Sequence, residues 1–140
     1  MDVVPTLLEN VQAEYEQSIR KSAKLNKLRA KIENGTADYI DAGSYAEEVA
    51  AILSKVYEHN LTENALPNGK MYYNIASRVL EPTLKAAYEE VASVTMAIQN
   101  AMNEKAGISI KALKPDFNQD RVMGIIDKIA NEDDDEEMVD

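Results

Sequence analysis

Cysteine and tryptophan are absent from this chain, histidine and phenylalanine occur once each, and glycine and proline are scarce. Each gap excludes something. Without cysteine there is no disulfide framework, no thiolate nucleophile and no zinc-cysteine site, a composition that suits the cytoplasm. With seven tyrosines and one phenylalanine as the only aromatics, the core must rest on Leu, Ile, Val, Ala and Met. Five glycines and four prolines in 140 residues argue against an all-β fold with its many turns. No window approaches about 18 apolar residues, so nothing is expected to span a membrane. The opening MDVVPTLLEN has neither the basic nor the long apolar region of a signal peptide. The phosphate-binding and zinc-binding patterns GxxxxGKS/T, GxGxxG and HExxH are all missing.

What the chain does have is acid. Its net charge is −10, and the last nine residues, Glu132 to Asp140, carry seven carboxylates and no base, leaving −3 for residues 1–131. A like-charge block repels itself and has nothing to bury, which predicts a disordered tail over 132–140 after a single domain over 1–131. The acidic balance argues against direct nucleic-acid binding by the surface as a whole.

The rest reads as amphipathic helices. The first is predicted from Thr6 to Glu33, with Pro5 at its start and Asn34-Gly35 as its stop. Its apolar stripe is Leu8, Val11, Tyr15, Ile19, Leu25, Leu28 and Ile32, spaced by three or four with one gap. The second is predicted from a Thr36 N-cap to Asn60 on the stripe Tyr39, Ala42, Ala46, Val49, Leu53 and Tyr57. Gly43 lies inside this helix, and a break there with Ser44 as a new cap is the alternative. Residues 61–70, with Pro67-Asn68-Gly69, read as a loop. A third helix follows from Met71 to Lys105, with a kink or break expected at Glu81-Pro82. Beyond the proline, Leu84, Tyr88, Val91, Thr95, Ile98 and Met102 form a heptad-like seam, and Gly107 ends the helix. ISIKALK (108–114) alternates like a short strand, either extended coil or an edge offered to a partner. A last helix is expected from an Asn118 cap to Asn131, with Val122, Ile125, Ile126 and Ile129 inward. The expected fold is all-α, an elongated bundle of four or five helices, two of them long.

Catalytic chemistry is hard to place on this pattern. His59 has no nucleophile or ligand cluster at helical spacing, and capping or exposure is its ordinary role. Glu47-Glu48 and Glu89-Glu90 are adjacent pairs whose side chains diverge, as on solvated faces rather than in a two-carboxylate site. The tail lacks the spaced ligands and glycine of a calcium loop. No cofactor or metal site can be read, and a non-enzymatic role is expected. Two surfaces are candidates for contact. One is the basic segment Arg20, Lys21, Lys24, Lys27, Arg29 and Lys31, free of acids, either a solvated helix end or a dock for an acidic partner or the tail. The other comprises Tyr72 and Tyr73, which fall on different helix faces, together with Leu84, Val91, Ile98 and Met102, whose aliphatic seam could serve self-association or a partner helix.

Three stretches, NGKMYYNIASRVLEPTL (68–84), NEKAGISIKALKP (103–115) and FNQDRVMGIIDKI (117–129), resemble the N-terminal region of the minor head, or head-morphogenesis, proteins of Firmicutes tailed phages and prophages. The opening MDVVPTLLENVQAEYEQSIRKSAKLNKL is similar too, so the resemblance covers nearly all the chain. Such proteins typically continue into a domain with clustered cysteines, which this chain lacks, and that domain's functions are not carried over. The resemblance implies a structural part in head assembly, in the bacterial host cytoplasm and then the virion, through contacts with portal, capsid or scaffold proteins. A rival of another class is a small acidic inhibitor whose carboxylates mimic nucleic acid in the groove of a nuclease or defence effector.

Overall fold

The computed structural model describes residues 4–63 and 70–108 and positions 113, 117, 120, 122 and 124, with side chains over 5–61, 78–108 and those five positions. Four helices have both ends among the described residues: α1 (Val4–Lys21), α2 (Ala23–Glu33), α3 (Tyr39–Glu63) and α4 (Lys70–Ala106). Among the described residues there is no strand, and the fold is all-α. At 1.5 Å of rise per residue, the 37 residues of α4 span about 55 Å and the 25 of α3 about 38 Å, so the bundle is elongated.

Helices α1, α3 and α4 each pack against the other two, while α2 carries on from α1 and lies along α3. Side-chain pairs give the directions. Glu14 meets His59 and Asn60, Lys24 meets Glu48, and Lys31 meets Asp41, so α1 and α2 run antiparallel to α3. Tyr57 meets Leu80, and Ala42 clusters with Ile98, so α4 also runs antiparallel to α3.

The single first helix expected over 6–33 is two helices. Ser22 sits at extended φ −66°, ψ 113°, and its Oγ accepts from the Leu25 N–H at 3.2 Å. Serine is a strong N-cap, so it closes α1 and starts α2. Two α2 side chains then satisfy the last carbonyls of α1: Asn26 Nδ2 donates to the Arg20 carbonyl at 3.2 Å, and an Arg29 guanidinium nitrogen to that of Ile19 at 3.4 Å. The break falls in the one gap of the apolar stripe, between Ile19 and Leu25. At the other end Leu7, not Leu8, heads the buried face.

Asn34-Gly35 stops α2 as expected. Gly35 takes φ +74°, its N–H bonds the Ile32 carbonyl, and the Thr36 N–H bonds the Lys31 carbonyl, which is a Schellman stop. Thr36 does not cap α3. Asp38 does, its Oδ1 accepting from the N–H groups of Ile40 and Asp41 at 3.0 and 3.1 Å, while Asp41 Oδ2 accepts from the Asp38 N–H at 3.0 Å. Helix α3 runs through Gly43 and Ser44 without a break and on to Glu63, past the loop start expected at 61. Tyr39 is 62% exposed, and Tyr45 takes the buried place assigned to it.

Pro82 does not break α4. The proline removes one ladder N–H, and in the same turn the buried Tyr57 hydroxyl donates to the Leu80 carbonyl at 2.6 Å. Burial pushes the Tyr57 phenol up, and the Leu84 N–H beside its hydroxyl oxygen works the other way. A tyrosine from α3 is thus inserted beside the turn the proline weakens. The main core then runs through Leu7, Val11, Tyr15, Ile19, Leu25, Leu53, Tyr57, Leu80, Ala87 and Val91, with a second cluster of Ala37, Ala42 and Ile98. In the seam after the proline, Ala87 is buried and Tyr88 is exposed.

Gly107, at φ +67°, follows the end of α4. Past it the Leu113 N–H donates to Gln99 Oε1 at 2.7 Å, and Phe117 and Val122 enter the main core. Phe117 meets the Tyr88 ring at 6.4 Å between centroids, tilted by 59°. Asp120, Val122 and Gly124 are helical. The rest of the predicted last helix, most of the alternating segment at 108–114, the turn at 67–69 and the acidic tail lie outside the described residues.

Candidate functional site

The seam offered as an interface is mostly interior. Val91 and Ile98 are each 1% exposed, Leu84 is half-buried against the main core, and Met102 half-buried against the second cluster. The chain's own helices cover this face, because α1 and α3 both lie on α4. The Tyr72 and Tyr73 side chains lie outside the described residues. Among the described residues, the large apolar side chains that do stand exposed are others: Tyr39, Ile40, Tyr88, Met96 and Ile108.

The basic segment is split by the Ser22 break. Arg20 and Lys21 end α1, and Lys24, Lys27 and Lys31 follow on α2. Two bases are held by α3: Lys31 Nζ lies 3.1 Å from Asp41 Oδ1 and Lys24 Nζ 3.7 Å from Glu48 Oε2. Burial works against the Asp41 charge, but the Asp38 backbone N–H and the Lys31 ammonium outweigh it and hold that carboxyl below the usual range. Arg20, Lys21 and Lys27 stand exposed without an ion pair to a described residue. Part of the segment therefore ties α2 to α3, and part remains a positive surface.

His59 belongs to a clamp. Its Nδ1 lies 2.8 Å from Glu14 Oε1, while Glu14 Oε2 accepts from Asn60 Nδ2 at 2.7 Å, so one α1 carboxylate holds two α3 residues. Beside the clamp, α1 and α3 border an open groove of about 500 Å3. Glu14, Lys21, Glu48, Lys55 and His59 rim it over an apolar floor of Ile52 and Val56. A rim of both signs over a short apolar floor suits a polypeptide with mixed charges better than a small reacting molecule. Among the described residues, no three His, Asp or Glu side chains are placed to share a metal ion.

A third feature escaped the sequence pattern. Glu90, paired with Glu89 on an expected solvated face, is half-buried beside Tyr15 and Ile19 of α1. Burial raises its pKa and the Arg29 guanidinium pulls the other way. Tyr15 and Tyr45 share this environment, and burial followed by the Glu90 charge pushes both phenols up. Arg29 stacks over the Tyr45 ring at 5.9 Å and donates to Asn26 Oδ1 at 2.8 Å. The signal was available: Glu90 lies three residues after buried Ala87 and one before Val91, at the margin of the inward face.

Comparison of the chain with family models, with curated proteins and with solved structures finds no match. Among the described residues, no helix is long and apolar enough to cross a membrane.

Proposed function

We propose that the chain is a helical module of a minor head protein from a Firmicutes tailed phage or prophage, acting without catalysis in head assembly. The observation that carries this reading is the resemblance of residues 1–28, 68–84, 103–115 and 117–129 to the N-terminal region of those proteins. The all-α bundle supplies matching material. Its exposed apolar side chains, its partly unpaired basic face and its mixed-charge groove are contact features, and they suit protein partners such as portal, capsid or scaffold subunits. Work would begin in the host cytoplasm and end in the virion.

The test is co-expression with the portal, capsid and scaffold proteins of the encoding phage, followed by size-exclusion chromatography with light scattering. Co-elution with one of them that survives 0.5 M salt is the outcome expected of helical contacts. Failure to co-elute with any of them sinks the proposal. A nuclease complex whose log Kd rises linearly with log[salt] would replace it with nucleic-acid mimicry.

A further inference from the structure

The groove between α1 and α3 carries both signs on its rim, but its two carboxylates are already engaged. Glu14 meets His59 with one oxygen at 2.8 Å and Asn60 with the other at 2.7 Å. Glu48 lies 3.7 Å from Lys24. The lysines of the groove are not engaged. Lys21 stands exposed on the α1 wall and Lys55 on the α3 wall, and neither makes an ion pair with a described residue. Ser22, the N-cap of α2, lines the same groove, and the first turn it opens holds no acid. The partial positive charge of that helix end therefore adds to the lysines. Lys27, three residues beyond Lys24, carries the free positive charge on along α2.

This surplus is local, since the whole chain has a net charge of −10. Ammonium groups only donate, so an occupant must bring negatively charged acceptors to the two walls. The floor of Ile52 and Val56 is itself buried, and charge rather than apolar area sets the affinity. Polypeptide fits better than nucleic acid. No aromatic side chain lines the groove to stack a base. A continuous row of phosphates would also have to pass Glu14 and Glu48, whereas side-chain carboxylates can be spaced to avoid them. We propose that this groove docks an acidic segment of a partner polypeptide, its carboxylates accepting from Lys21 on one wall and Lys55 on the other and reaching on toward Lys27. The charge balance holds whatever protein carries the segment, and so does not rest on a role in head assembly.

The experiment titrates the full chain against fluorescein-labelled hexaglutamate at low ionic strength, read by anisotropy and by 1H–15N spectra. Saturable binding is expected, with amide shifts centred on Lys21, Ser22 and Lys55 and a Kd that rises with salt. Lys21→Glu and Lys55→Glu, both at exposed positions, should each weaken binding roughly fivefold, because an attraction becomes a repulsion. Lys55→Gln, which adds no acid, should weaken it by less. Lys85→Glu, on α4 and outside the groove, should leave the Kd within about twofold. An equal loss in Lys85→Glu would reduce the effect to diffuse attraction and overturn the proposal. Tighter binding of a labelled hexathymidylate would assign the groove to nucleic acid and overturn it as well. Deleting residues 132–140 should leave the peptide-free amide signals of Lys21, Ser22 and Lys55 in place. Movement there would seat the chain's own tail in the groove, against a separate partner. Unsaturable binding, or unchanged binding in folded Lys55→Glu, would also sink it.

Discussion

At the scale of single residues, two buried oxygens carry the most testable energetics. Burial raises the Glu90 pKa above its ordinary 4.5. A carboxyl with a raised folded pKa contributes stability that is complete below the unfolded value and is lost as pH rises through the folded one. At pH 8 its charge is therefore a liability, and glutamine keeps the shape without it. Glu90→Gln should raise the melting temperature at pH 8, by an amount that solvent screening and the lost attraction to Arg29 reduce. That gain should shrink toward zero below pH 4.5, and calorimetry across the pH range would read it. A gain independent of pH would place the carboxyl in solvent. Tyr57 gives the opposite case. Its hydroxyl donates to the Leu80 carbonyl at 2.6 Å in the interior, and Tyr57→Phe removes that bond. The cost should be about 1–2 kcal/mol in urea unfolding, with an unchanged m-value. No measurable loss would mean that water replaces the phenol.

At the scale of elements, the α4 proline joins these local facts. Pro82 is exposed inside a continuous helix, where a proline usually costs about 3 kcal/mol. Pro82→Ala restores a ladder N–H, so it should stabilise the fold by roughly 1–3 kcal/mol, read by chemical denaturation. Destabilisation would instead show that Tyr57 reaches Leu80 only because the proline shapes that turn. Sequence periodicity made α3 and α4 legible because their buried faces repeat over many turns. It also placed the α2 stop, since Asn34-Gly35 is local turn chemistry, and Gly107 past α4. It missed Ser22, because capping is decided by the alternative partners of a few backbone groups, here Asn26 and Arg29 side chains ten residues or fewer away. It chose Thr36 over Asp38 for the same reason: both can cap, and only the reciprocal bond with Asp41 distinguishes them. At the sites, the salt link of Lys31 to Asp41 and the burial of Glu90 depend on which helices meet. That information is tertiary, and spacing along one helix does not hold it.

At the scale of the whole molecule, charge and apolar surface are distributed differently. Seven of the carboxylates sit in residues 132–140, a segment with little apolar surface to bury, so its deletion should leave the melting temperature nearly unchanged. A loss of several degrees would instead show the tail docking, with Arg20, Lys21 and Lys27 the available bases. The apolar surface divides between interior and contact residues, and substitution separates the two. Val91 and Ile98, 1% exposed on α4, face α1 and α3 within the chain. An aspartate at either place would bury a carboxylate without a partner, at a cost above about 4 kcal/mol, a large part of the 5–15 kcal/mol that holds a domain folded. Val91→Asp and Ile98→Asp should therefore lose their helical circular dichroism near room temperature, whatever the chain binds. Met96 is 64% exposed and Ile40 62%, so aspartate there removes apolar contact surface without entering the core. At Ile40 the new charge falls in the first turn of α3, where the helix dipole favours it. Met96→Asp and Ile40→Asp should keep the wild-type melting temperature within about 2 °C. If the bundle assembles through its exposed apolar residues, one or both should reduce the mass seen by light scattering, alone or with a head partner. A folded Val91→Asp would show that α1 and α3 do not cover α4 as described. Unchanged assembly in both surface variants would move the contact to the basic face or the α1–α3 groove, where Lys27→Glu and Lys55→Glu are the next substitutions to make.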